Sequence, residues 1–221
     1  LDMENRLLGV ITAQDFMEIL DEEMGEDYAK LGGLSSEEDL KESLAVSVKK
    51  RLPWLIILLG LGLGVSSVVG IFESVVAQLT IVVCFQSLVL DMAGNVGTQS
   101  LAVTIRVLMD ENLGGFQKLS LIWKETKIGF LNGIILALIS FGMIGIYTWL
   151  FKGKDLFFAF AVAGCVGTAL LLSMSLAAFA GTVIPVFFKK IKIDPAVASG
   201  PLITTVNDLV AVVAYYGLAW I

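Results

Sequence analysis

The sequence predicts an all-α membrane protein, with five transmembrane helices preceded by a cytosolic connecting helix. Three observations predict it. The 221 residues are 57% hydrophobic, with a mean hydropathy of +0.86, which is more apolar than a soluble domain of this size. Charge is split along the chain: residues 1–50 hold thirteen Asp/Glu against five Lys/Arg, and residues 51–221 hold eight against ten. That break separates an acidic, water-facing segment from a membrane domain. Beyond it lie long charge-poor runs, and a hydrocarbon core needs about 20 helical residues to cross.

Taken in order, Leu7–Thr12 reads as one strand and the residues from about Ala13 as a helix. One strand and one helix cannot bury a core. The chain begins at Leu1 rather than Met, with no signal-peptide pattern. It is therefore expected to be a piece of a longer protein, with residues 1–20 the tail of a preceding domain. From about Asp15 to Ser47 the chain is polar and helix-prone, with acidic residues at Asp21, Glu22, Glu23, Glu26 and Asp27. The simpler reading is a solvated helical linker; the sharper one is a cation-sensing surface beside a pore mouth.

The first span is expected from about Pro53 to Phe72, with Pro53 in the first turn, where its missing N–H does no harm. The second runs from about Val75 to Met109, too long for one perpendicular crossing. The third covers about Ile128 to Leu150, the fourth about Leu156 to Phe188 and the fifth about Ala196 to Ile221. With a cytoplasmic N-terminus, eleven Lys/Arg flank the inner ends, from Lys41 to Lys192, against Lys152 and Lys154 outside. This bias predicts a multi-pass cell-membrane protein with an extracytoplasmic C-terminus.

Several classes are excluded. There is no His, and both cysteines, Cys84 and Cys165, lie in apolar runs, where buried packing is the expected role. That leaves no disulfide framework or Cys/His metal cage. No basic patch points to nucleic acid. No nucleophile–base pair or cofactor motif points to an enzyme.

Two polar constellations remain inside the apolar spans. Asp208 lies deep in the fifth; a charge at a membrane-helix centre costs about 2.5–3.5 kcal/mol on insertion scales, and such residues face a partner, a pathway or a cavity. Thr204 and Thr205 share its helix face, with Gly200 a turn earlier. A helix starting near Ala196 puts Asp208 about 18 Å along; one starting at Pro201, about 10 Å. The alternative is a salt bridge to another span, but no Lys or Arg lies in an apolar run at matching depth. In the second span Asp91, Asn95 and Gln99 form one stripe, and Gly94 and Gly97 permit close packing or a local break. The alternative there is a packing interface joined by hydrogen bonds. Carboxylate, amide and hydroxyl oxygens suit a hard cation such as Mg²⁺, Ca²⁺ or Mn²⁺. Gly60/Gly64 and Gly129/Gly133 are spaced for helix packing, and Glu73 reads as a solvated residue of the outer turn.

The blocks Met92–Ser100 and Asp194–Asp208, taken together, resemble the signature blocks of the MgtE family of magnesium channels, and the resemblance extends from about Arg51 to Ile221. Upstream, Leu8–Thr12 with its helix resembles the end of a CBS domain, and residues 21–50 are similar to the family's connecting plug helix. The resemblance implies a homodimer in the lipid membrane. It implies a central pore lined by spans two and five, with Mg²⁺ as the transported and regulatory ion. It implies Asp208 as the pore carboxylate, with Gly94, Asn95 and Thr204 near the ion and Asp194 at the cytosolic mouth. Asp91 joins them as a candidate cation contact from its place on the second-span stripe. Glu22, Glu23 and Glu26 are candidate mouth partners. The acidic N-terminal domain and most of a CBS pair do not occur in this sequence, so regulation through them is expected to be altered. The competing expectations are a carrier exchanging a divalent cation for Na⁺ or H⁺, with Asp208 titrating, and a membrane-anchored sensor or scaffold.

Overall fold

A computed structural model describes residues 10–36, 38, 41–78, 80–110, 113–197 and 200–220. Every regular element among them is helical. Helix α1 (Ala13–Leu31) is started by Thr12, whose hydroxyl accepts the Asp15 N–H at 3.2 Å while the Asp15 carboxylate accepts the Thr12 N–H at 2.7 Å. This reciprocal cap satisfies two otherwise orphaned donors. Val10–Thr12 form no strand, and the rest of the expected strand lies outside the described residues. Gly32 and Gly33 follow α1, and Gly33 has φ +77°, a conformation that costs glycine little. A Cβ on Gly33 would lie 2.4 Å from Trp54 Cδ1 and 3.3 Å from Pro201 Cγ. The turn is thus wedged against two later helices, and the polar stretch Asp15–Ser47 is broken rather than one continuous helix.

Helix α2 (Leu44–Ile71) starts well before Pro53, which sits inside it rather than in its first turn. Two ion pairs extend the helix backwards by tying it to the preceding loop: Lys50 to Glu42 at 2.5 Å and Arg51 to Glu38 at 2.7 Å. No residue of α2 is buried. The expected second span is divided: its first residues belong to a short helix α3 (Glu73–Gln78), and α4 (Thr80–Asp110) follows. Phe72, at the corner, stacks on Tyr216 with ring centroids 5.7 Å apart. Glu73 is exposed at that corner. Helix α4 runs through Gly94 and Gly97 without a break.

Helices α5 (Gly115–Phe151) and α6 (Leu156–Lys190) form an antiparallel hairpin, with Asp155 capping α6 by accepting the Phe157 N–H at 2.9 Å. Gly129 and Gly133 lie directly against α6, where Cβ atoms would approach Met174 O to 2.8 Å and Leu171 Cα to 3.0 Å. Gly60 and Gly64, with the same spacing, have nothing within 4 Å of a Cβ, because α2 stands on the outside of the single chain. Helix α6 is central. Its buried small residues Ala163, Ala169, Ala177 and Ala178 let α4, α5 and α7 approach. A 3₁₀ turn at Pro195–Val197 leads into α7 (Gly200–Trp220), which packs on α4 and α6 through Ile203, Ala211, Val212, Tyr215 and Tyr216. Five helices, α2, α4, α5, α6 and α7, are long and apolar enough to cross a membrane. The chain is a multi-pass membrane protein.

Candidate functional site

Helix α7 begins at Gly200, so Asp208 lies about 12 Å along it, close to the shallower of the two expected depths. Its side chain is half-buried, and among the described residues it has no hydrogen-bond or ion-pair partner. One turn earlier Thr204 is exposed, its hydroxyl donating to the Gly200 carbonyl at 2.9 Å; Thr205 donates to the Pro201 carbonyl at 2.9 Å. Both hydroxyls are satisfied within their own helix, a common arrangement for Ser/Thr in membrane helices.

The stripe on α4 is present as an exposed face: Asp91, Asn95 and Gln99 all point outward, while Gly94 is buried between them. Gly94 meets α7, where a Cβ would touch Thr204 Cγ2 at 3.5 Å. The contact sets the α4 stripe beside the face of α7 that carries Thr204 and Asp208. Cys84 is exposed rather than buried, and Cys165 is half-buried. Cys84 precedes Asp91 by seven residues and Asn95 by eleven, which places it on the same side of α4. The apolar neighbours in sequence hid that direction. Among the described residues no cluster of three or more His, Cys, Asp or Glu is arranged to hold a metal ion. A cation passing here would meet amide, hydroxyl and single carboxylate oxygens, which suit an ion that keeps much of its water.

The remaining candidates lie elsewhere. Asp194 is at the start of the turn into α7. Its Oδ2 accepts from Lys30 Nζ at 2.8 Å and its Oδ1 from the Ala196 N–H at 2.9 Å. Burial pushes the Asp194 carboxyl up, but the Lys30 hydrogen bond, the Ala196 N–H and the Lys30 charge together bring it below its ordinary value. Lys30 is raised, first by its hydrogen bond to Asp194 and then by Asp194, Glu26 and Asp27 as neighbouring charges. Asp27 is raised by burial and by the Asp194 charge. Glu22, Glu23 and Glu26 are exposed on α1, and Glu26 reaches Lys30 at 3.6 Å. Asp194 is thus ion-paired with α1 rather than gathered with Asp208.

Sequence reasoning singled out neither Lys30 nor Asn207. Lys30 carried a signal, as a lone base in an acidic helix. Asn207 is fully buried against α4, and neither its nitrogen nor its oxygen has a partner among the described residues. Its neighbour Asp208 drew the attention. Tyr215 and Tyr216 tie the far end of α7 to α4, donating to the Val82 carbonyl at 2.8 Å and to Gln86 Oε1 at 2.6 Å.

Residues 86–218, which hold both stripes, match the family model described as MgtE, divalent cation transporter. The chain belongs to the MgtE family. That is a family of transporters, not enzymes. The magnesium transporter MgtE of Enterococcus faecalis is 37% identical over 220 residues, covering 99% of this chain and 46% of that protein. The magnesium transporter MgtE of Bacillus subtilis is 35% identical over 219 residues, covering 99% and 47%. The magnesium transporter MgtE of Thermus thermophilus is 32% identical over 222 residues, again 99% and 47%. The chain therefore spans about half the length of these MgtE relatives.

Proposed function

We propose that this chain is the membrane part of a homodimeric Mg²⁺ channel. Mg²⁺ would move down its electrochemical gradient through a path lined by α4 and α7. The observation that carries this reading is Asp208: a carboxylate at membrane depth, without a partner among the described residues, on the face of α7 that meets α4 at Gly94. A charge so placed needs an ion, water or a counter-charge. Thr204, Gly94, Asn95 and Asp91 would supply oxygens to the shell of a hydrated ion. The magnesium transporters it resembles suggest Mg²⁺ as the ion.

The outward-facing Asp91, Asn95 and Gln99 support the dimer. Polar side chains exposed to lipid are costly, and a second copy placing the same faces across a two-fold axis would cover them. Two Asp208 carboxylates facing each other would favour a divalent ion between them. In this arrangement the N-terminus is cytoplasmic and the C-terminus extracytoplasmic, as the positive-inside bias favours. Residues 1–20 would close a CBS domain and residues 21–50 would form the connecting segment, with Asp194, Glu22, Glu23 and Glu26 at the cytosolic mouth.

The test is Mg²⁺ entry into proteoliposomes at clamped membrane potential. A channel conducts without any Na⁺ or proton gradient. Flux that appears only when one of those gradients is imposed would make the protein a coupled carrier.

A further inference from the structure

Gly97 of α4 is squeezed from two sides. A Cβ on Gly181 of α6 would lie 2.3 Å from the Gly97 carbonyl oxygen, and a Cβ on Gly97 would lie 1.8 Å from Asn207 Nδ2 and 2.8 Å from its Cγ. The Asn207 amide therefore rests on bare backbone. It is 0% exposed, and neither polar atom has a partner among the described residues. A buried amide with both ends unpaired is more costly than a leucine of similar shape. For packing alone, an apolar side chain would serve better.

The two ends of α7 are held differently. At its C-terminal half Tyr215 and Tyr216 donate hydrogen bonds to α4. From Gly200 to Asp208 the hydroxyls bond only within α7, and among the described residues no side-chain hydrogen bond joins this half to α4 or α6. On α4 it meets the bare backbone at Gly94 and Gly97 and, through Ile203, the apolar side chains Leu101 and Ile105, a non-directional contact without a hydrogen bond. Consecutive helical residues point about 100° apart, so Asn207 faces the glycines while Asp208 faces the polar edge. A modest turn of this half carries the amide toward that edge.

We propose that Asn207 is a specificity-determining residue held in reserve. The N-terminal half of α7 turns on the Gly97–Gly181 surface, about its tyrosine-pinned end. The Asn207 amide then joins Asp208 at the hydration shell of the passing cation. This rests on the reading of the Asp208 face as the ion path. An amide offers one acceptor and two donors, so it contacts coordinated water without adding charge, unlike a second carboxylate.

The experiment compares the wild-type chain, Asn207→Leu and Asp208→Asn in detergent and in Mg²⁺-loaded proteoliposomes. Asn207→Leu replaces the unpaired amide by an apolar side chain with the same number of heavy atoms. The expected result is Mg²⁺ flux lowered about tenfold with the fold retained, the loss of one ordinary polar contact to the transported species. An unchanged flux would show that the amide is only packing and would overturn the inference. If Asp208→Asn also leaves flux unchanged, the ion-path reading fails; if Asp208→Asn loses flux while Asn207→Leu does not, this inference alone fails. A second measurement uses Asn207→Cys with Cys84 and Cys165 replaced by Ser. A hydrophilic methanethiosulfonate should label position 207 while Mg²⁺ is conducted. Labelling of Asp208→Cys in the same background, but never of Asn207→Cys, would overturn it.

Discussion

Lys30 Nζ lies 2.8 Å from Asp194 Oδ2, joining the end of α1 to the turn that starts α7. Gly33, wedged between Trp54 and Pro201, fixes the same junction from the other side. Whatever moves α1 therefore acts on the segment that leads, a few residues later, to Thr204 and Asp208.

Removing the cation from this junction should loosen it more than removing the anion. Lys30→Met leaves Asp27 and Asp194 as neighbouring like charges, whereas Asp194→Asn removes that repulsion and leaves Lys30 with Glu26. The pair is partly exposed, so the direct loss is about 0.2–1 kcal/mol. Hydrogen exchange along α1 should accelerate in Lys30→Met and change less in Asp194→Asn. Equal acceleration would mean that the Asp27–Asp194 repulsion has no effect.

The junction also has a pH signature. Asp194 is lowered from 3.8, so its contribution is complete above 3.8 and is lost as pH falls through the lowered value. Lys30 is raised from 10.5, so its contribution is complete below 10.5 and is lost as pH rises through the raised value. Asp27 is raised from 3.8, so its charged form opposes docking, and that opposition fades as pH falls through its raised value. Protection of α1 should be flat through neutral pH and rise slightly on the acid side as Asp27 protonates. It should collapse only once Asp194 does. Measurements of exchange across pH, corrected for intrinsic rates, would show it; a steady decline from neutrality would contradict the assignment.

Glycines of the membrane helices should differ in their tolerance. Gly181→Ala drives a methyl into the Gly97 carbonyl, where only backbone movement makes room. A destabilisation of about 1–3 kcal/mol is expected. Gly60→Ala meets nothing within 4 Å and should be neutral, or stabilising by up to about 1 kcal/mol through helix propensity. Thermal midpoints in detergent decide it.

Cys84 offers a native reporter of the proposed dimer. It shares a side of α4 with Asp91 and Asn95, so a two-fold axis along that face brings two copies of Cys84 together. A short bismaleimide should give a crosslinked dimer in membranes, and Cys84→Ser should abolish it. A crosslink that survives Cys84→Ser and depends on Cys165 would put the axis elsewhere.

The five spans were legible because membrane helices must satisfy their backbone internally and present apolar surface, and both demands show as uncharged runs. The polar stripes were legible for the same reason, as exceptions within those runs. What escaped depends on contacts between distant residues. The Glu42–Lys50 and Glu38–Arg51 pairs carry α2 back beyond Pro53, and the Phe72–Tyr216 stack marks the corner before α3. Gly60/Gly64 and Gly129/Gly133 read alike in sequence, yet only the second pair meets a neighbouring helix of the same chain. Asn207 was hidden because burial of an amide leaves no pattern in a sequence, whereas the charge beside it does.

The central claim is that Asp208 faces the permeating ion. The most direct measurement is Mg²⁺ flux into proteoliposomes at clamped potential, with no other gradient, for the wild-type chain and for Asp208→Asn. The account predicts that the substitution abolishes flux or degrades its preference for Mg²⁺ over monovalent cations, with the fold retained. Equal flux and equal selectivity in both proteins would contradict it.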